Sequence, residues 1–174
     1  MTNLKNRGSI FKFYSWLPIL VLFISVMNEF DFNYLNYKYF SFNFPFILIF
    51  YWSLKRSESL GYGFIFIAGL FNDVVMGFPL GISGFTYLLI CGFAAYLRNI
   101  TLRPSLLNDW FFFLFTISVI TSINFFLLVF FFNIELSYYG VAGNIFFTFF
   151  LYYIFAIIFD FYQRIVFKKG SEND

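Results

Sequence analysis

The chain has 174 residues, of which 61% are hydrophobic, 28% aromatic and 11% charged, with a formal net charge of +2 and no histidine. Soluble domains carry about 25% charged residues, so this chain lacks the polar side chains to cover a water-facing surface. It reads as an all-α integral membrane protein, one bundle without a soluble domain. A lone cysteine, Cys91, rules out an intramolecular disulfide, and the absence of imidazole rules out His-based hydrolase dyads, haem ligation by His and ordinary zinc sites.

The N-terminal segment 1–12 carries Lys5, Arg7 and Lys12 and no acid. The apolar run that follows has no small-x-small cleavage site, so it is read as an uncleaved first span, 13–27, with Pro18 tolerated in its first turns. Asn28 to Ser41 is polar and aromatic, the composition of a membrane–water interface, and is expected to be an external loop. The second span, 42–54, enters at Pro45. It is short for a bilayer that needs ~20 residues, so the preceding aromatic residues are expected to extend it. Lys55 to Ser59 is a charged hairpin. The third span, 61–77, holds one acid, Asp73, and Phe78-Pro79-Leu80 turns the chain into a fourth, 81–97. Gly81, Gly84, Leu88, Cys91 and Ala95 recur at helical spacing there, a seam that should pack closely on span three, with Cys91 as a small packing residue. Arg98 to Asp109 is the longest interior hydrophilic stretch, interrupted by Pro104. The fifth span, 110–132, and the sixth, 138–159, complete a single transmembrane domain over 13–167, and 168–174 is a tail.

With six spans and a cytoplasmic N-terminus, every one of the eleven Lys and Arg residues except Lys38 falls on the inner side. This is the distribution that the positive-inside rule describes. Both termini are therefore expected in the cytoplasm, with Lys55-Arg56 and Lys168-Lys169 near anionic lipid. Nothing in the pattern points to nucleic acid.

Asp73 is the residue that most needs an explanation. An ionised carboxylate in hydrocarbon costs from ~3 to more than 10 kcal/mol. Gly69, Asp73 and Gly77 share one helix face, a small–acid–small surface on which other helices are expected to meet. Counted from Gly61 at 1.5 Å per residue, Asp73 lies about 18 Å along the span, in its outer half. Asn72 adjoins it, and Asn124 and Asn144 are candidates to reach it from spans five and six. Either Asp73 packs helices, protonated or bonded to backbone at the break, or it lines an outward cavity or partner groove. Gly77-x-x-x-Gly81 contains Pro79 and reads as a turn. Asp160 has an ordinary explanation as an i,i+4 pair with Arg164. No Ser/His pair, phosphate-binding glycine loop or CxxC is present, so no catalytic, cofactor or metal residue is assigned and the chain is read as a non-enzyme.

Pro45 to Trp52, the charged hairpin, and then Gly69-Leu70-x-x-Asp73-x-x-x-Gly77-x-x-Leu80-Gly81 resemble the rod-shape-determining MreD family. The motif-bearing part runs from about Pro45 to Arg98; elsewhere the match is only hydropathy. The resemblance implies a non-enzymatic, multi-pass subunit of the bacterial inner membrane that scaffolds peptidoglycan synthesis in cell elongation and regulates cell shape. The partners it implies are an MreC-like bitopic protein and, indirectly, actin-like MreB filaments and the elongation glycosyltransferase–transpeptidase pair. Asp73, Asn72, Gly69, Gly77, Gly81, Pro45 and Trp52 are the interaction and packing candidates. The six-helix architecture is also similar to the substrate-binding subunits of energy-coupling-factor transporters, which implies the alternative of a vitamin-type ligand-binding subunit. Those subunits dock through paired alanines in the first span, and the run Trp16 to Asn28 contains none.

Overall fold

A computed structural model describes residues 16–27, 42–56, 60–101, 105–134 and 137–171, with side chains through Arg164. The expectations for segment 1–12, the loop at 28–41, Ser57 to Ser59, Pro104 and 172–174 lie outside these residues. The described chain is all helical: α1 (Trp16–Met27), α2 (Phe44–Lys55), α3 (Tyr62–Met76), α4 (Ile82–Ile100), α5 (Leu106–Phe132) and α6 (Tyr138–Ser171).

The helix at the centre is α2. Its sequence, FPFILIFYWSLK, is apolar on every side, and every residue from Phe44 to Leu54 is buried. A helix of that kind must be enclosed by apolar neighbours on all sides. Pro45 occupies the first turn, where its missing N–H is no loss. The neighbours are read from ring contacts. Phe44 meets Phe155 of α6 edge-on at 4.8 Å, Phe50 meets Phe113 of α5 at 5.1 Å, and Phe46 meets Tyr87 of α4 at 5.9 Å. Trp52 packs between Tyr51, Phe159 and Tyr162. At 12 residues α2 is only about 18 Å long.

The other helices run in alternating directions around it. Trp16 meets Phe64 and Phe23 meets Phe71, so α1 lies along α3 with the same polarity. Trp110 stacks on Phe149 at 4.5 Å and Phe125 meets Tyr138 at 4.9 Å, which sets α5 and α6 antiparallel. Both α5 and α6 are long and apolar enough to cross a membrane. They are also mostly exposed: Phe111, Phe115, Phe126 and Phe130 of α5 and Phe146, Phe150 and Phe161 of α6 all face outward. A core helix of a soluble protein would pass the same length and composition test but would be buried.

Three helix boundaries differ from expectation. The fourth helix continues through Arg98 to Ile100, and the fifth begins at Leu106 instead of Trp110, because Ser105 caps it by accepting from the Asn108 N–H at 3.2 Å. Arg98 to Ile100 and Leu106 to Asp109 of the hydrophilic stretch are thus helical, and Asp109 falls inside the first turn of α5. The sixth helix runs past Phe159 to Ser171. In the seam of α4, Gly84 and Cys91 are buried, but Leu88 and Ala95 are only half-buried and the buried face also takes in Ser83, Tyr87, Ile90 and Ala94. Phe93 packs half-buried on the core.

Candidate functional site

The tightest approach in the fold joins α3 to α4. A Cβ on Gly69 would lie 2.3 Å from Gly84 Cα and 2.4 Å from its nitrogen, so the two backbones touch where they cross. Only residues without side chains permit this. Two turns beyond the crossing, α3 stops. Gly77 adopts the left-handed conformation at φ 68, and the Asp73 carbonyl accepts from the Phe78 N–H at 2.9 Å. This is the usual way a helix ends on glycine. Phe78-Pro79-Leu80 then reverses the chain, and Gly81, at φ 101, starts α4.

Asp73 spans this turn. It is completely buried; Oδ2 accepts from the Gly81 N–H at 2.7 Å and Oδ1 from the Ser83 N–H at 2.9 Å. Gly81 has no side chain with which to cap α4, and Asp73 performs that function from the preceding helix. The N–H groups of a first helical turn have no partner within the helix, and the helix dipole favours an acceptor there. Asn72 adds a third tie, its Nδ2 donating to Ser83 Oγ at 2.9 Å. Gly69, Asn72, Asp73, Gly77 and Gly81 therefore form one device that closes the α3–α4 hairpin.

The other candidates lie elsewhere. Pro45 and Trp52 belong to the central helix, Pro45 buried in its first turn and Trp52 packed on Phe159 and Tyr162 of α6. The face Gly69–Asp73–Gly77 is not the general meeting point of the helices. Its first two members are buried against α4, Gly77 is exposed, and the bundle is arranged around α2. Asn124 and Asn144 are not hydrogen-bonded to Asp73, whose oxygens are filled by backbone. Asn144 Oδ1 instead accepts from Asn43 Nδ2 at 3.3 Å, beside a 3.0 Å bond from the Asn43 N–H to Thr148 Oγ1. These bonds fasten the start of α2 to α6.

A second polar group at the opposite end of α2 was not singled out from the sequence. Lys55 Nζ lies 2.9 Å from Asp109 Oδ2, and this carboxylate is 2% exposed. Tyr51, one turn earlier on α2, donates to Asp160 Oδ1 at 2.5 Å. Asp160 is thus tied across helices and not to Arg164 as the i,i+4 spacing suggested. The legible signal was the cap: Ser105 followed by Asn108 and Asp109 marks a helix start, which would have placed Asp109 on the same face as Phe113 and Thr116.

Chemically, both groups hold structure. Among the described residues no three Asp, Glu or Cys side chains come together as metal ligands. The Cys91 thiol accepts from Ser53 Oγ at 3.1 Å, linking α4 to α2. No protein family, curated protein or solved structure matches the chain.

Proposed function

We propose that the chain is a multi-pass subunit of the bacterial inner membrane that scaffolds the cell-elongation machinery, binding an MreC-like bitopic partner and acting through it on wall synthesis. The observation that carries this reading is the α3–α4 hairpin. The residues on which the family resemblance rests, Gly69, Asp73, Gly77 and Gly81, act together to fix the shape of one turn. A turn so constrained, next to exposed Met76 and Leu80, suits recognition by another protein better than it suits chemistry. Membrane insertion is supported by the apolar, outward-facing α5 and α6 and by the one-sided distribution of basic residues.

The test is co-purification. From gentle detergent extracts, the chain should bring down a bitopic elongation protein, and depletion of the chain should round the cells. Recovery of an ATPase pair together with a bound vitamin would instead favour the transport-subunit reading. Topology has its own check. Reporter fusions after Asp174 and beside Lys38 should report opposite sides of the membrane, cytoplasmic for the first. Two reporters on one side would overturn the six-span arrangement.

A further inference from the structure

The α3–α4 hairpin is shorter than the α5–α6 hairpin, and the difference falls at one end of the bundle. Tyr51 bonds to Asp160 and Ser53 to Cys91, which brings α2, α4 and α6 level near Lys55. At the other end, Asn43, which starts α2, is held by Thr148. Helix α6 continues past Thr148 to Tyr139, about 13 Å further. The turn 77–81 does not follow it. Tyr87, near the start of α4, meets Phe46, near the start of α2, so the turn ends within about 3 Å of the level of Asn43. Tyr139 therefore stands roughly 10 Å beyond the turn.

Both hairpins turn apolar side chains outward. On α6, Tyr139 to Asp160 is about 31 Å, close to the ~30 Å hydrocarbon core of a bilayer. On α3, the 15 residues from Tyr62 to Met76 give about 22 Å. Tyr62 near one end and Tyr139 near the other are exposed, as interfacial anchors are. A span too short for its bilayer is accommodated by side chains that reach for the interface, by association with another helix, or by thinning of the bilayer. The first is closed at this turn, because Val74 to Ile82 contains no Lys, Arg, Trp or Tyr. The second favours small residues at the contact. On α3, Ala68 and Gly69 are already buried, Gly69 against Gly84, which leaves Phe66, Ile67, Val74 and Val75 outside. Thinning is what these side chains suit.

We infer that the partner of this face is the bilayer itself, drawn down by roughly 10 Å beside the α3–α4 hairpin so that the turn 77–81 reaches the membrane surface. The inference rests on the membrane insertion proposed above. It puts the turn that Asp73 holds on the floor of a depression, within reach of the extramembrane part of a partner.

Nitroxide labels on the full-length protein test this, attached through Leu80→Cys, Tyr139→Cys and Val74→Cys on a Cys91→Ala background in dioleoylphosphatidylcholine vesicles. Leu80 is 72% exposed, Tyr139 84% and Val74 67%, so the labels displace no packed side chain. Depth is read from collision with oxygen, which concentrates in hydrocarbon, and with a nickel chelate, which stays in water. The labels at Leu80 and Tyr139 are both expected at the headgroups, within a helical turn of one another in depth, and the label at Val74 in hydrocarbon. A Leu80 label roughly 10 Å deeper than the Tyr139 label means a flat bilayer. A Leu80 label at the headgroups with the Tyr139 label out in water means a bilayer that is thin all round. A Leu80 label shielded from both reagents means a protein on this face. Each of these results overturns the proposal. A Val74 label open to nickel shows a chain that is not inserted, and the membrane reading then fails with it.

Discussion

Gly69→Ala is expected to pry α3 from α4, while Gly63→Ala on the same helix is expected to be silent or stabilising. The new methyl at position 69 would meet the Gly84 backbone at 2.3 Å and the Ser83 carbonyl carbon at 2.8 Å, and neither can rotate aside. The helices must separate, and the Asp73 bonds to Gly81 and Ser83 sit within a turn of the crossing, so they stretch too. Overpacking of this kind costs on the order of 1–3 kcal/mol, occasionally more. At Gly63 no atom lies within 4 Å of the added methyl, and alanine gains ~1 kcal/mol of helix propensity over glycine. Gly84→Ala should fall between them, because its methyl meets mainly the Phe66 ring at 2.9 Å, and that ring is exposed enough to swing away. Thermal unfolding in detergent orders the three variants. Equal tolerance of Gly69→Ala and Gly63→Ala would mean that the backbones do not touch.

Asp73→Leu is the second large effect. It leaves the Gly81 and Ser83 N–H groups without acceptors, at ~1–3 kcal/mol for each donor that stays buried, and frees the turn between Gly77 and Gly81. Asp73→Asn is informative because it is nearly isosteric. Both carboxylate oxygens accept from N–H groups. An amide offers one oxygen, and its NH2 would confront the second N–H, donor against donor. Asparagine is therefore expected to destabilise measurably, by less than leucine. If the turn is what a partner recognises, both variants should lose co-purification and rod shape in proportion to the disturbed hairpin, even where protein still accumulates in the membrane. Membrane abundance, partner recovery and cell shape are to be read together. Normal values of all three for Asp73→Leu would make Asp73 incidental. A silent Asp73→Asn would show that one of the two backbone bonds is absent.

The helices and the hairpin were legible before any fold was known, for local reasons. Apolar runs punctuated by Gly77, Pro79 and Gly81 dictate where helices stop, and glycines at helical spacing on both sides of a short turn imply close contact. The surroundings of Asp73 were legible only as a choice between a packed acid and a cavity-lining one. The hairpin decides for packing, because the backbone N–H groups of the next helix are the nearest donors and fill both oxygens. The identity of the central helix was not legible. FPFILIFYWSLK in α2 and the equally apolar runs of α5 and α6 carry the same pattern, since lipid and protein interior select the same side chains. Which of them is enclosed depends on how six helices pack, and the short α2 is the one surrounded. The partners of Asp109, Asp160 and Asn144 were hidden for a related reason. A polar side chain on an apolar helix will take whichever donor or acceptor the helix rotation brings within about 3 Å. Spacing along one helix, such as Asp160 to Arg164, is silent about that rotation. The packing of α2 against α5 and α6 sets it, and so pairs Lys55 with Asp109 and Tyr51 with Asp160.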